Sequence, residues 1–422
     1  MNRYLRLTAL IIAGEMIYSL PFHTQRYFRP TMLEVFELSN TQNGDMFAVF
    51  GITAAFSYFF GGPFADRYSA RSLMVVSLVL TAIGGLYMAT IPSIGNMSVL
   101  YGYWGITTSL LFWAALIKAT RDWGGDSSQG TAFGVLDGGR GLAAAIFAAI
   151  AVGILAQYLP TETALVTDDE RRSAVRSIIL FYSLLTFLSA IIVWFFIPIT
   201  PGQTNQRGNP FAGVPQVMRR PLIWTQAAVI ICAYCGYKGL DNYSLYATQV
   251  LNMNEIDAAL LSTYGAYVRP VAAIIAGIIA DRYNSSKPIL VLFGIMIATY
   301  GALSYATPDI VSTNVIFANI FVSYFAVFAI RGIYYALLEE TNTPKHLTGA
   351  SVAVIAFVGY TPEAFFGPVA GRILDANPGV VGHLNLFTFL GAVSVVGVLV
   401  TVVLIRLNSR SKESAEPEGF SV

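Results

Sequence analysis

"GPFADRYSAR" at residues 62–71 and "GIIADRYNSSK" at residues 277–287 share a glycine, the run Ala-Asp-Arg-Tyr and a later basic residue. The two stretches stand roughly half a chain length apart, and each closes the second long apolar run of its half. Such runs of about 20 residues recur along the whole chain, and each is long enough to cross ~30 Å of hydrocarbon as a helix. Composition agrees: 55% of the residues are hydrophobic, 13% aromatic and only 12% charged, which is a membrane balance.

Punctuation by Gly, Pro and charge predicts helices over 5–28, 45–64, 72–91, 98–119, 131–157 and 174–197, then over 222–249, 258–280, 288–306, 313–338, 348–373 and 384–406. The expected fold class is therefore an all-α membrane protein with twelve transmembrane helices in two pseudo-symmetric six-helix bundles. The bundles span 1–197 and 222–408, with a linker at 198–221 rich in proline, glycine and arginine and a tail at 409–422. Arg3 and Arg6 precede an apolar run as in a signal peptide, but Glu15 interrupts the run and no small-residue cleavage site follows, so the segment reads as retained.

Charge sets the orientation. Fifteen of the 25 lysines and arginines fall in loops and termini on one side, and six (Arg26, Arg29, Arg171, Arg172, Arg176 and Arg372) fall on the other. The remaining four, Arg140, Lys238, Arg269 and Arg331, fall inside predicted helices. Positive loops stay inside, so both termini are expected in the cytoplasm, with the chain in the inner (plasma) membrane. The formal net charge of +1, with no basic run and no zinc-spaced cysteine cluster, speaks against nucleic acid as a partner. Cys232 and Cys235 lie within one predicted helix without a second pair and read as small apolar filler. His23, His346 and His383 fall toward helix ends or loops, and no metal site is expected. No nucleotide-binding loop, haem pair or Ser/His/Asp arrangement stands out, so neither an enzyme nor a bound cofactor is expected.

The arrangement Gly62, Asp66, Arg67 and Arg71, with its echo at Asp281 and Arg282, resembles the loop between helices two and three of the major facilitator superfamily. The resemblance covers the full chain and implies a secondary transporter working by alternating access. It also implies that Asp66, Arg67, Arg71, Asp281 and Arg282 gate that movement. A carboxylate near a helix end can pair with arginines and with a neighbouring helix N-terminus, as a latch requires; plain topogenic charge is the other account of the same residues. A narrower resemblance covers 118–145, where Trp123, Gly134, Asp137, Gly138 and Gly139 are similar to the helix 4–5 segment of the organic-anion and organophosphate branches. The proline that marks helix five of many proton-driven drug antiporters is missing from "GLAAAIFAAIAVGIL" (141–155).

Eight charged residues fall near predicted helix centres: Glu15, Asp137, Arg140, Lys238, Asp241, Arg269, Arg331 and Glu363. Each costs about 2.5–3.5 kcal/mol in a membrane helix unless paired or hydrated, so they are expected to face an interior cavity. Lys238 with Asp241, and Asp137 with Arg140, stand three apart and can neutralise each other. They serve either as packing pairs or as substrate contacts. Arg269 and Arg331 have no acid one turn away and need a partner such as Asp241 or Glu363 across the bundle, or an anionic substrate gripped by the guanidinium fork. Arg269 also precedes Pro270, where a freed carbonyl can open the helix. Glu15 and Glu363 have no base one turn away and read as proton-coupling carboxyls or as caps on cationic partners. Among nearby aromatics, Tyr237 and Tyr267 are the expected hydroxyl contacts. The function expected is a monomeric secondary transporter of a small polar metabolite, an organic anion, coupled to protons in the lipid bilayer. The alternatives are a proton-driven exporter of drugs or amphipathic compounds and, in another class, a receptor or sensor that binds a ligand without moving it.

Overall fold

A computed structural model describes residues 3–125, 129–160, 166–199, 213–341 and 347–413, and within them the side chains at 59, 62–66, 129–131, 348–349 and 411–413 lie outside the description. Among the described residues every regular element is helical. In chain order these are α1 (Arg3–Met16), α2 (Thr24–Val35), α3 (Asn40–Arg67), α4 (Ala70–Met88), α5 (Ile94–Ile106), α6 (Ala114–Gly124), α7 (Gln129–Tyr158), α8 (Asp168–Phe196) and α9 (Val214–Met218). There follow α10 (Pro221–Gly239), α11 (Tyr243–Gln249), α12 (Glu255–Tyr283), α13 (Ser286–Leu303), α14 (Thr313–Ile333), α15 (Leu337–Glu340), α16 (Thr348–Gly359), α17 (Pro362–Ala376) and α18 (Val380–Glu413). Single irregular turns join four pairs of these into longer rods: π-helical turns at Ser19–His23 and Thr107–Trp113, and 3-10 turns at Leu240–Asn242 and Tyr334–Ala336.

Nine helices among the described residues are long and apolar enough to cross a membrane, or ten if α1 and α2, bent by 44° at the first π turn, count as one span. Most of the expected linker (200–212), the tail beyond 413, and Lys345 and His346 lie outside the described residues.

The first rod corrects the sequence reading. It was expected to end at 28, with Arg26 and Arg29 counted among the charges on the outer side. A kink does fall there, at Phe28 (φ −119°, ψ 24°), but the chain resumes as a helix to Val35, and both arginines are buried within it. Partners from elsewhere allow this: Arg26 Nε donates to Asp241 Oδ1 at 2.5 Å, and Arg29 Nη2 donates to Asn40 Oδ1 at 3.0 Å. Asp241 neutralises Arg26, while Arg29 gains a hydrogen bond to an uncharged amide. Pro270 likewise does not open its helix, since α12 runs unbroken from Glu255 to Tyr283.

Glycines let α3 and α17 approach closely. A Cβ on Gly44 would stand 2.1 Å from the Gly367 carbonyl oxygen, one on Gly51 2.5 Å from Ala364 N, and one on Gly371 2.3 Å from the Asn40 carbonyl oxygen. Small residues let two membrane helices touch along their backbones. Polar links reinforce the contact at the same end. The Asp375 carboxylate accepts the Asn40 and Thr41 backbone N–H groups at 3.2 and 2.7 Å, capping α3 from another helix. Arg372 reaches both Asp45 oxygens at 2.8 and 3.3 Å. Arg171 at the start of α8 stands 2.9 Å from Glu255 and 2.7 Å from Glu34, and Thr31 donates to Glu255. The end that holds the turns at 36–39, 250–254 and 377–379 is thus closed by residues from both halves of the chain.

Overpacking that contact by Gly44→Val or Gly371→Val should weaken the closure by about 1–3 kcal/mol, roughly a 5- to 150-fold shift toward opening. In a background with Cys232 and Cys235 replaced by alanine, the rate of maleimide labelling at the buried position Asn43→Cys should rise accordingly. An unchanged rate would show that the α3–α17 contact does not hold this end.

Candidate functional site

A cavity of about 260 Å³ lies between the rods, lined by charge and tyrosine in a largely apolar wall. From the first rod come Glu15, Tyr18, Phe22, His23 and Arg26, which share one helical stripe apart from His23, placed there by the π turn. Tyr58, Ser109, Trp113 and Arg140 complete one wall. Tyr234, Tyr237, Arg269, Arg331, Tyr360 and Glu363 form the other.

Two ionic networks hold these side chains. In the first, Glu15 is 4% exposed and takes three neighbours: His23 Nε2 at 3.0 Å from Oε1, Arg140 Nε at 3.1 Å from Oε2, and Arg269 Nη1 at 4.0 Å. Arg269 Nη2 in turn donates to Asp137 at 2.6 Å. Glycine clears the way for both arginines: a Cβ on Gly14 would meet Arg140 Cδ at 3.3 Å, and one on Gly141 would meet Arg269 Cδ at 2.9 Å. The expected Asp137–Arg140 pair therefore does not form. The two share a helix, but Asp137 turns to α12 and Arg140 to α1, where each meets a charge that has no partner on its own helix. Arg269 likewise finds its acids in Asp137 and Glu15, and not in Asp241 or Glu363.

In the second network the Lys238–Asp241 pair of the sequence reading is present, with Nζ 2.9 Å from Oδ2. Asp241 also accepts from Arg26, whose Nη1 donates to the Tyr237 hydroxyl at 2.9 Å. Lys238 stands 3.4 Å from Glu363 and rests over the rings of Phe22 and Phe47 at 4.8 and 4.5 Å. Glu363 accepts the Tyr234 hydroxyl. The 3-10 turn at Leu240–Asn242 carries Asp241 round to face both cations.

Arg331 is the exception. Among the described residues no carboxylate oxygen pairs with it, and its buried Nη1 has no hydrogen-bond partner. Its guanidinium carbon lies 3.9 Å from the Tyr237 ring centroid and 6.0 Å from that of Tyr234. A short hydroxyl chain stands beside it, with Tyr360 3.2 Å from Tyr334 and 2.9 Å from Tyr335. The sequence reading balanced four acids against four bases. Arg26 and Arg29 both enter the helix and add two bases; Arg29, away from the cavity, holds the Asn40 amide, and among the cations that line the cavity the surplus falls at Arg331.

Tyr267 is a correction. It is 38% exposed on the outer face of α12 and does not line the cavity. It stands two positions before Arg269, about 200° around a helix, so both cannot face inward. His23, Arg26, Tyr18 and Trp113 were missed. The stripe Glu15, Tyr18, Phe22, Arg26 repeats at helical spacing and would have revealed Arg26 had the helix been carried past residue 28.

The expected gating residues lie at the far end from the closure. Arg67, Asp281 and Arg282 are exposed. Arg282 stacks on Tyr283 at 5.5 Å and Arg71 on Trp194 at 4.5 Å. The side chain of Asp66 lies outside the described residues. Glu340 takes a role there that the sequence did not point to: it accepts the Ser286 backbone N–H at 2.8 Å and hydroxyl at 2.5 Å, capping the start of α13.

Removing one member of a buried ion pair strands the other. Glu15→Gln and Arg140→Gln should each destabilise the folded protein by about 3–5 kcal/mol, and the double variant by clearly less than their sum. Unfolding by denaturant in detergent measures this; strictly additive losses would show that the two do not act as a pair.

Comparison with known proteins places this geometry. The chain is 25% identical to inner membrane protein YqcE of Escherichia coli (strain K12), covering 98% of this chain and 97% of that one. It is 25% identical to inner membrane protein YihN of the same organism over 97% of each. Among solved structures it matches the nucleoside transporter NupG with a TM-score of 0.75 at 11% identity, covering 96% of this chain and 100% of that one. It also matches a bacterial homologue of the human lysosomal transporter Spinster, with a TM-score of 0.69 at 15% identity over 97% and 96%. The model of the Major Facilitator Superfamily matches residues 11–367. This chain, a multi-pass integral protein of the inner membrane and a transporter rather than an enzyme, belongs to the Major Facilitator Superfamily.

Proposed function

We propose that the protein is a secondary active transporter that moves a small organic anion by alternating access, coupled to protons. The observation that carries this reading is Arg331: a guanidinium on the cavity wall that stacks on Tyr237 and has no carboxylate partner among the described residues. A guanidinium presents a planar fork that matches a carboxylate or phosphate through two parallel hydrogen bonds. The other four cations of the site already hold acids, so an anion gains most at Arg331. Lys238, Asp241, Arg269, Arg140 and Tyr237 then shape the site and hold its charge. Glu15 and Glu363, each within reach of a cation, are the candidates to exchange protons. The resemblance of 118–145 to the organic-anion and organophosphate branches supports the same substrate class.

Two six-helix bundles, 1–197 and 222–408, joined by the linker 198–221, suit this mechanism. Arg26 and Arg29 leave the outer-loop count when α2 takes them in, so fifteen basic residues stand on one side against four on the other. The positive-inside rule then favours cytoplasmic termini more strongly. With that orientation the closed end faces away from the cytoplasm, and the Asp66–Arg71 and Asp281–Arg282 loops work as latches on the cytoplasmic side in the opposite conformation.

A panel of carboxylates, phosphates, sugars, zwitterions and lipophilic cations tests the reading by thermal stability of the purified protein. A ligand at a hundred times its Kd should stabilise by about 2.7 kcal/mol. An anion should do so in the wild type, more weakly in Arg331→Lys and not at all in Arg331→Gln. Stabilisation by lipophilic cations alone, or anion binding that persists in Arg331→Gln, would overturn it.

A further inference from the structure

His23 is buried in the cavity wall at 3% exposed, on the π turn that bends the first rod. Glu15, paired with Arg140, is a carboxylate and can only accept, so His23 Nε2 carries the hydrogen of their 3.0 Å contact. The other ring nitrogen, Nδ1, is buried with no hydrogen-bond partner among the described residues. We propose that His23 is a proton-binding site of the transport cycle, and that a proton on its Nδ1 drives the protein out of the conformation seen here. This deepens the alternating-access reading and rests on it.

The geometry gives the direction. In this conformation a second N–H on the ring has no acceptor, and an unpaired buried donor is costly. An imidazolium also competes with Arg140 and Arg269 for Glu15. Arg269 is the weakest of the three contacts at 4.0 Å, and its guanidinium, shared with Asp137, ties α12 to α1 and α7 across the two halves. A protonated His23 thus both lacks a partner here and loosens a cross-half tie. Opening of the closed end brings water to the first rod and supplies the missing acceptor.

The charged and titratable groups facing His23 are few. Glu15 comes from α1, Tyr27 from α2 with its ring 5.5 Å away, and Tyr182 from α8 at 5.7 Å. Arg140 of α7 and Arg269 of α12 act through Glu15, and Arg26 of α2 shares the cavity. Gly85 of α4 packs on Leu20 of the π turn, and Tyr101 of α5 donates its hydroxyl to the Pro21 carbonyl of the same turn. Among these groups His23 is the one with a buried ring nitrogen that has no hydrogen-bond partner and can take up a proton.

The test uses the full chain, without any ligand. Spin labels at the exposed positions Glu37→Cys and Val381→Cys, with Cys232 and Cys235 replaced by alanine, report the distance across the closed end. Between about pH 7.5 and about pH 5.5, which bracket the ordinary imidazole value of ~6.5, the long-distance population of the wild type should rise several-fold. His23→Gln keeps an N–H for Glu15 but cannot titrate in this range, so its distances should ignore pH. Should that variant fail to fold, His23→Asn, which also offers an N–H and has no imidazole to titrate, takes its place and should likewise ignore pH. A wild type that ignores pH, or a His23→Gln variant that responds as the wild type does, would overturn the inference. Anion binding lost in Arg331→Gln stands or falls separately: it can survive a distance that ignores pH, and a His23-dependent distance change can survive the absence of any binding anion.

Discussion

Charge inside a membrane protein must be compensated by charge, and here compensation is drawn from distant helices. Glu15 receives Arg140 from α7 and Arg269 from α12; Asp241 receives Arg26 from α2 and Lys238 from its own rod. Of these four contacts, two join the first half of the chain to the second. The cavity is therefore the place where the halves hold one another through ions. Such bonds are strong when complete and costly when broken singly, so movement of one half against the other requires exchange of partners and not mere separation. That requirement ties the conformation of the whole chain to the charge state of a few side chains.

The closed end is built from different material. Backbone meets backbone at Gly44, Gly367 and Gly371, and two of the polar links that cross it sit near the surface, Arg372 with Asp45 and Asp375 with the start of α3, while Glu255, which takes Arg171 and Thr31, is buried. Glycine contacts bury little area per residue, and exposed ion pairs contribute little net stability. Water can replace each of these hydrogen bonds when the end parts. The near-surface part of the closure is specific in its register yet cheap to undo, whereas the core of α10, α13 and α18, packed through Phe293, Tyr300 and Leu390, offers no such exchange.

Hydropathy made the helices legible, and the cost of burial made Glu15, Lys238, Asp241, Arg269 and Arg331 legible as interior residues. Pairing was legible only where both partners shared a helix and nothing stronger intervened. Lys238 and Asp241 meet that condition. Asp137 and Arg140 have the same spacing, but each faces a charge on another helix, and sequence spacing carries no information about that. Arg26 and Arg29 were read as outer charges because charge was taken to punctuate the first apolar run; inside the helix Arg26 meets Asp241, far away in the chain, and Arg29 meets Asn40 beyond the next turn. His23 was hidden for a related reason. A π turn adds a residue to the helical repeat, and it turns an imidazole eight residues from Glu15 into its hydrogen-bond partner.

Arg331 differs from its neighbours in being compensated by aromatic faces alone. A cation over a tyrosine ring gains about 0.5–2 kcal/mol, well below what a buried carboxylate pairing provides. In the conformation seen here the guanidinium lines the cavity, where water can share its charge. A conformation that closes the cavity at both ends removes that water and leaves Arg331 dependent on Tyr237 and Tyr234. In the proposed reading an organic anion supplies the missing charge, so the occluded state is accessible when the site is filled and costly when it is empty. Such a difference between the filled and empty carrier is what a coupled transporter needs, because it makes the crossing depend on cargo. The same surplus cation that attracts the substrate would then also prevent the empty protein from leaking through its cycle.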